Sequence, residues 1–451
     1  MLQQDIASGR LDHEELQSNF AQASPPLAPM QAVVESERCF YCHDAPCIQA
    51  CPTSIDIPRF INAIGNGNPG GAARIILEAN ILGGSCARVC PTEILCEQKC
   101  VHNLLENGRP VRIGALQEYA TDWQMAQGRQ PFARAEPTGR RVAVVGAGPA
   151  GLACAHRLAL HGHDVSIFDS HGHPGGLNQY GVAAYKMADD FAAREVAFLL
   201  SIGGIVFEGG KSLGIDFTLD TLRQDYDAVF LAFGLGKSRS VGIEGEDLPG
   251  VMDALAFIEQ IRTQVLSDIP VGRRVIVIGG GNTAVDAAVQ ARRLGADSVT
   301  LAYRRGPEQM SATLAEREWA QTNGVSVRFW SSPVKIMHED GVLSGVAFDH
   351  TPLGQHDQAP RREVIPADMV LTAVGQLMDP GMVSAMPVTM RNGRIVVDDQ
   401  YRTSLPGVYA GGDCTEGMDL TVAAVRDGRA AAQATHAAIG QDRASKNMAD
   451  L

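Results

Sequence analysis

Residues 141–169 read RVAVVGAGPAGLACAHRLALHGHDVSIFD. The apolar run 142–145 is a buried strand. Gly146, Gly148 and Gly151 form G-x-G-x-x-G, with Pro149 and Ala150 opening a helix. A second strand then ends on Asp169. In such a turn the first Gly allows the bend, the second lets a pyrophosphate approach the backbone, and the third lets helix pack on strand. The free N–H groups of the helix start face the phosphates, and a carboxylate placed as Asp169 is would hold ribose hydroxyls.

The pattern recurs at 273–305, RRVIVIGGGNTAVDAAVQARRLGADSVTLAYRR. Here Gly279, Gly281 and Ala284 make the turn, with Asn282 and Thr283 between, and Ala is an accepted third member. The following strand ends in Arg304 and Arg305 where the first ends in an acid. A basic pair there suits the 2′-phosphate of NADP, whereas NAD prefers a carboxylate; ordinary solvated arginines are the alternative. YDAVFLAFG (226–234) and ADMVLTAVG (367–375) read as the returning strands of the two units. Two nested turns of different character predict two dinucleotides, FAD in the first and a nicotinamide cofactor in the second.

The C-terminal GVYAGGDCTEGMDLTV (407–422) supports FAD. Gly412 and Asp413 end a strand at the ribityl and pyrophosphate region. Thr421 and Val422 open a helix whose N-terminus faces the flavin ring, where negative charge gathers on reduction. Gly176 and Leu177 belong to the same expected FAD site. Asp413 read as a plain turn acid is the alternative. Lys186, in YGVAAYKM, is the one candidate catalytic side chain near the flavin, against a solvated surface lysine.

Eight of ten cysteines fall before these units. CFYCHDAPCIQACP holds Cys39, Cys42, Cys47 and Cys51; CARVCPTEILCEQKC holds Cys86, Cys90, Cys96 and Cys100. Short spacings with Cys-Pro follow the pattern of iron–sulfur proteins. Structural zinc, the alternative, uses paired C-x2-C knuckles, and only one C-x2-C occurs here. A cysteine before Pro often serves the other cluster, so spacing leaves the ligand sets open. Cys154 and Cys414 read as buried core residues and His43 as a polar loop residue. The dinucleotide units lack C-x-x-C, which argues against a redox dithiol there.

The net charge of −13 argues against nucleic-acid or anionic membrane binding. No apolar run has membrane-spanning length, and MLQQDIASGRLDHEEL (1–16) lacks a signal peptide's apolar core. A cytoplasmic, reducing location follows, where clustered cysteines are metal ligands more often than disulfides. The expected fold class is α/β with an N-terminal all-α iron–sulfur domain and two nested Rossmann-like domains. The expected boundaries are 1–138 for the helical domain and 139–238 and 370–440 for the FAD domain. The NAD(P) domain covers 239–369, and 441–451 is a flexible tail. IDIPRFINAIGNG (55–67) and GGAARIILEANIL (70–82) carry helical spacing, 128–140 is a linker, and DHTPLGQHDQAPRRE (349–363) is an exposed hairpin loop.

Together CFYCHDAPCIQACP, CARVCPTEILCEQKC, VVGAGPAGL, IGGGNTAVD and YAGGDC resemble the small subunit of glutamate synthase and the N-terminal half of dihydropyrimidine dehydrogenase. CPTSIDIPRFI, the spacing from Cys90 to Cys96, and IGALQEYATDW (113–123) look like the pyrimidine enzyme, with Gln117 where the glutamate synthase subunit has Glu. The resemblance implies two 4Fe–4S clusters, one on Cys39, Cys42, Cys47 and Cys100, the other on Cys51, Cys90, Cys96 and Gln117. It leaves Cys86 without iron. The chain ends soon after the flavin motif, so it resembles the separate bacterial (PreT-type) subunit. That resemblance implies an electron-input role: oxidation of NADH or NADPH at FAD and transfer through the clusters to an FMN- and iron–sulfur-containing (PreA-type) partner that reduces uracil or thymine. A heterotetramer or larger complex is implied. By resemblance the nicotinamide is NADH; by Arg304 and Arg305 it is NADPH.

Overall fold

The structure, a computed structural model, describes residues 5–105, 108–351, 360–379, 381–382 and 386–449, with side chains described up to 440. Its backbone divides into two compact units.

The first unit comprises Ser24–Gln179, Asp189–Gly236 and the chain from Met378 onward. It begins as the expected small helical domain. Helices Ile57–Gly65 and Pro69–Ala79 each carry Pro in the first turn, and Asp56 and Asn68 cap them by accepting from the backbone N–H of Arg59 and Gly71. Their apolar faces, with helix Ile113–Ala126, bury Phe60, Ile61, Ile64, Ile76, Leu116 and Ala120. This core lies against the thiols.

A five-stranded parallel sheet follows in the order Val408–Ala410, Ala228–Leu231, Arg141–Val145, Asp164–Asp169, Ile205–Gly209. Its central strands are buried along nearly their whole length, so they read as unbroken apolar runs, as parallel strands covered on both faces do. Helix Pro149–Leu160 lies on this sheet, and helix Thr421–Ala449 packs on that helix. The close approach needs Gly428, where a Cβ would lie 2.0 Å from the Ala150 carbonyl oxygen. The backbone of 441–449, within the expected tail, continues this helix.

The second unit comprises Met1–Ala23, Tyr180–Ala188 and Lys237–Leu377. It holds its own five-stranded parallel sheet, ordered Val251–Asp253, Met369–Ala373, Arg274–Gly279, Ser298–Ala302, Val325–Arg328. An antiparallel sheet of Ser331–Glu339, Val342–His350 and Arg361–Pro366 accompanies it. The expected hairpin loop lies between the last two of these strands, with 352–359 outside the described residues.

The N-terminal arm departs from the 1–138 grouping. Helix His13–Asn19, closed by a capping box of Asp12 and Glu15, buries Leu16, and Phe20 follows it into the nicotinamide unit's core with Phe257 and Val285. Ile6 and Leu11 pack on the same core, Ala7 pairs with Val271, and Asn19 and Arg293 exchange hydrogen bonds, so the whole arm is held there.

Candidate functional site

The eight clustered cysteines surround two cavities in the first unit. One, of about 360 Å³ with its mouth, is lined by Cys39, Cys42, Cys47 and Cys100 together with Phe40, Ile57, Ile61 and Val111. The other, of about 380 Å³ counted with its open mouth, is lined by Cys51, Cys86, Cys90, Cys96 and Gln117, with Val422 in its wall. Cys100 has thus left its own run to join three thiols of the first. Cys51, which caps the end of the short helix Pro46–Ala50, has crossed the other way.

Among the described residues no three His, Cys, Asp or Glu side chains converge as ligands of one ion would. A tetrahedral zinc needs its sulfurs about 2.3 Å from a common centre. Donors that instead ring a space fit a polynuclear group. Burial raises the thiol of Cys39, and pushes Cys47 up to about 11 with Cys39 adding to it. A hydrogen bond with Cys86, then burial, raise Cys90 well above the ordinary thiol range, and burial does the same at Cys96. Thiolates here need nearby positive charge, which iron supplies. Gln117, buried on helix Ile113–Ala126, donates Nε2–H to the Gly83 carbonyl at 2.7 Å, which leaves Oε1 as its free donor atom.

The first glycine turn has an open cradle. Gly146 takes φ +107°, and a Cβ there would sit 2.3 Å from the Ala232 carbonyl oxygen. At Gly151 a Cβ would lie 1.9 Å from the Gly146 oxygen, whereas at Gly148 it would meet nothing nearer than Gly176 Cα at 3.9 Å. Gly148 is the N-cap of helix Pro149–Leu160 and offers no side-chain acceptor, so the first-turn N–H groups are free for a ligand. Asp169 braces the turn, accepting from the N–H of Ala147 at 2.7 Å and of His171 at 2.8 Å.

Local contacts tie the other expected flavin residues to this turn. A Cβ on Gly412 would reach the Ala150 Cβ at 2.9 Å, and the Thr421 hydroxyl donates to Asn178 Oδ1 at 2.9 Å, one residue from Leu177. Burial pushes Asp413 up to about 6, with Asp419 adding and Arg394 opposing. Asn178 and Asp427 escaped the sequence reading; Asp427 accepts from the N–H of Gly412 and the hydroxyl of Tyr401. Only three-dimensional proximity marks them. Val422, read as a flavin residue, also walls the second cysteine cavity.

In the second unit, a Cβ at Gly279 would lie 2.3 Å from the Ala373 oxygen, and at Gly281 no nearer than 3.5 Å to anything. Helix Asn282–Arg293 starts with Gly281 as N-cap and carries Thr283 and Ala284 in its first turn. The Asn282 Oδ1 is buried without a hydrogen-bond partner, an acceptor available to a bound molecule. Arg304 and Arg305 are exposed beyond strand Ser298–Ala302, with the Arg305 guanidinium 5.6 Å from the Tyr303 ring. That ring lies flush against Gly280.

Lys186 is not a surface lysine. Its ammonium sits 2.8 Å from Asp286 and 2.5 Å from Glu316, with 14% of the side chain exposed. Burial alone would lower its pKa, but the two carboxylates hold it above the usual value. The pairing fastens Tyr180–Ala188 to the nicotinamide unit.

Known proteins place this geometry. Residues 140–428 match the family model for pyridine nucleotide-disulphide oxidoreductases, and 16–129 match that for dihydropyrimidine dehydrogenase domain II, 4Fe-4S cluster. The glutamate synthase (NADPH) small chain of Escherichia coli K12 is 35% identical, over 92% of this chain and 92% of that protein. The NAD-dependent dihydropyrimidine dehydrogenase subunit PreT of the same organism is 33% identical, over 93% and 97%. FprA of Mycobacterium tuberculosis, solved in complex with NADPH, is similar in fold, with a TM-score of 0.55 at 21% identity over 69% of this chain and 86% of that one. FAD, a nicotinamide dinucleotide and 4Fe–4S chemistry are the groups these families use, and each finds fitting residues here. The chain therefore belongs to the pyridine nucleotide-disulphide oxidoreductases, in the branch of NAD(P)H-dependent flavin and iron–sulfur proteins that includes PreT and the glutamate synthase small chain.

Proposed function

We infer that this chain is the electron-input subunit of a dihydropyrimidine dehydrogenase. When bound, FAD accepts a hydride and can release electrons singly, and iron–sulfur clusters carry single electrons. The chain's own residues supply position. Gly146, Gly148 and Gly151 with Asp169 and Asp413 hold the flavin nucleotide, Gly279 to Ala284 with Arg304 and Arg305 hold the nicotinamide nucleotide, and the thiols hold iron. In this reading Lys186, held between Asp286 and Glu316, fastens its own segment in place.

The observation that carries the reading is Gln117 in the wall of the cavity that holds Cys51, Cys90 and Cys96. By resemblance, a Gln at this position goes with the pyrimidine enzyme, where the glutamate synthase subunit has Glu. Val422 joins the flavin side of helix Thr421–Ala449 to that cavity. Phe40, 58% exposed, lines the other cavity and stacks on His102, which puts that cavity at the surface, where a partner can reach it. The partner in this reading is an FMN- and iron–sulfur-containing (PreA-type) chain that reduces uracil or thymine, in a cytoplasmic heterotetramer or larger complex. No helix among the described residues is long and apolar enough to cross a membrane.

The test is reconstitution with such a partner. Uracil-dependent oxidation of NADH or NADPH by the pair, absent from either chain alone, is the expected result. Activity only with a glutaminase-bearing large chain would favour the second reading, a glutamate synthase small subunit, to which the Arg304–Arg305 pair is suited. Zinc in place of iron and sulfide would leave a scaffold instead of an electron carrier.

A further inference from the structure

The second cysteine cavity offers one donor too many. Cys51, Cys86, Cys90, Cys96 and Gln117 all line it, while a 4Fe–4S cluster takes four protein ligands. Cys86 is 2% exposed, and its backbone carbonyl accepts the Cys90 N–H at 2.9 Å, so the two cysteines are one helical turn apart. Gln117 is 7% exposed, and its Nε2 is committed to Gly83, which holds its Oε1 in place. The two contenders are joined through one short segment. Gly83, which anchors Gln117, opens helix Gly83–Val89, and Cys86 lies on the first turn of the same helix.

We propose that Cys86 is a reserve ligand, so that one iron of the second cluster can be held either by Gln117 Oε1 or by Cys86 Sγ. This rests on the iron–sulfur reading above and goes beyond it. The exchange is a substitution with no change of oxidation state. An iron–oxygen bond to Gln117 breaks, an iron–sulfur bond to Cys86 forms, and the Cys86 thiol proton passes to water. The two states differ by one negative charge on the ligand set, because a neutral amide gives way to a thiolate. Added negative charge lowers a cluster's reduction potential. The cavity therefore holds one cluster in two electrical settings.

The experiment compares Gln117→Ala, Cys86→Ser and the double variant after anaerobic reconstitution with iron and sulfide. Iron and acid-labile sulfide per chain are counted, and EPR spectra of the dithionite-reduced proteins are recorded. Gln117→Ala should keep the wild-type iron content with a changed spectrum and a lower midpoint potential. Cys86→Ser should keep both iron content and spectrum. The double variant should lose about half the iron. Equal iron loss in Gln117→Ala and the double variant would overturn the proposal, as would full iron content in the double variant with the Gln117→Ala spectrum. Loss of iron in Cys86→Ser alone would overturn it too, making Cys86 a standing ligand. Bound flavin serves as the folding check; if Gln117→Ala fails it, Gln117→Leu preserves the buried volume. A wild-type protein that takes up no iron and sulfide would instead refute the underlying iron–sulfur reading.

Discussion

The Glu195 carboxylate, buried on helix Phe191–Leu200, accepts hydrogen bonds from the backbone N–H of Ser85 at 3.0 Å and from the Ser85 hydroxyl, and a further one from the N–H of Gly84 at 2.8 Å. The dinucleotide domain thereby holds the turn that carries Cys86. Burial is the larger effect and pushes Glu195 up to about 7, against the hydrogen bonds and Arg88, which lower it. The folded state therefore binds the proton more tightly than an unfolded chain, where Glu titrates near about 4.3. The contribution of the protonated acid is complete below that value and is lost as pH rises toward 7, a change on the order of 3 kcal/mol. Relative to Glu195→Gln, the wild type should lose melting temperature between pH 5 and pH 8. Parallel melting profiles for the two proteins would show that Glu195 does not titrate in this window.

The first glycine turn separates packing from binding. Gly151→Ala forces a Cβ to within 1.9 Å of a backbone oxygen, with no flexible side chain to move aside. It should destabilise by about 3 kcal/mol or more and lower the yield of folded protein. Gly148 has φ −76° and ψ −177°, a conformation open to any residue, and free space around its Cβ position. Gly148→Ala should fold and melt as the wild-type apoprotein does, yet bind flavin weakly. Equal flavin content in both proteins would contradict the cradle.

Replacing Arg304 and Arg305 tests the choice of nicotinamide. If they meet a 2′-phosphate, replacing both by Gln should lower kcat/KM for NADPH by roughly 10- to 100-fold and leave NADH unchanged. Steady-state assays with a dye acceptor read this directly. A loss shared equally by both cofactors would make the pair ordinary surface charge.

Lys186→Met should destabilise by about 3–5 kcal/mol, because Asp286 and Glu316 would then face each other partly buried without their cation. Flavin content should be retained in the protein that folds, since neither carboxylate belongs to the flavin unit. Adding Asp286→Asn and Glu316→Gln should restore part of the loss in thermal melts. A Lys186→Met protein as stable as wild type would mean that the ion pairs are weak.

The two dinucleotide folds were legible in sequence because their signals are local: strand, glycine turn and helix follow one another within about thirty residues. The helices 57–65 and 69–79 were legible from periodicity for the same reason. Membership of the two cysteine cavities was not. Cys51 and Cys100 exchange sets through tertiary packing; Cys51 before Pro52 left the sets open, and only family resemblance named the exchange. Gln117 looks in sequence like one more polar residue of an amphipathic helix. Glu195 likewise reads as a solvent-facing acid, and nothing local announces that residue 85 will close over it. Of the two readings of Lys186, the surface lysine is the one that its burial excludes; its partners Asp286 and Glu316 lie a hundred residues or more away, on helices that only the fold brings to it. Leu16 and Phe20 gave too short a signal to reassign the N-terminal arm.

Cys154 and Cys414, the two cysteines outside the cluster region, are both completely buried, and burial pushes Cys414 up to about 12 and Cys154 higher still. In the native protein neither presents a reactive thiolate. Alkylation of the folded chain by a maleimide or iodoacetamide thus reports on the N-terminal cysteines alone. A simple count of labelled sulfurs, with and without iron, becomes a measure of cofactor loading that needs no spectrometer and no enzymatic assay.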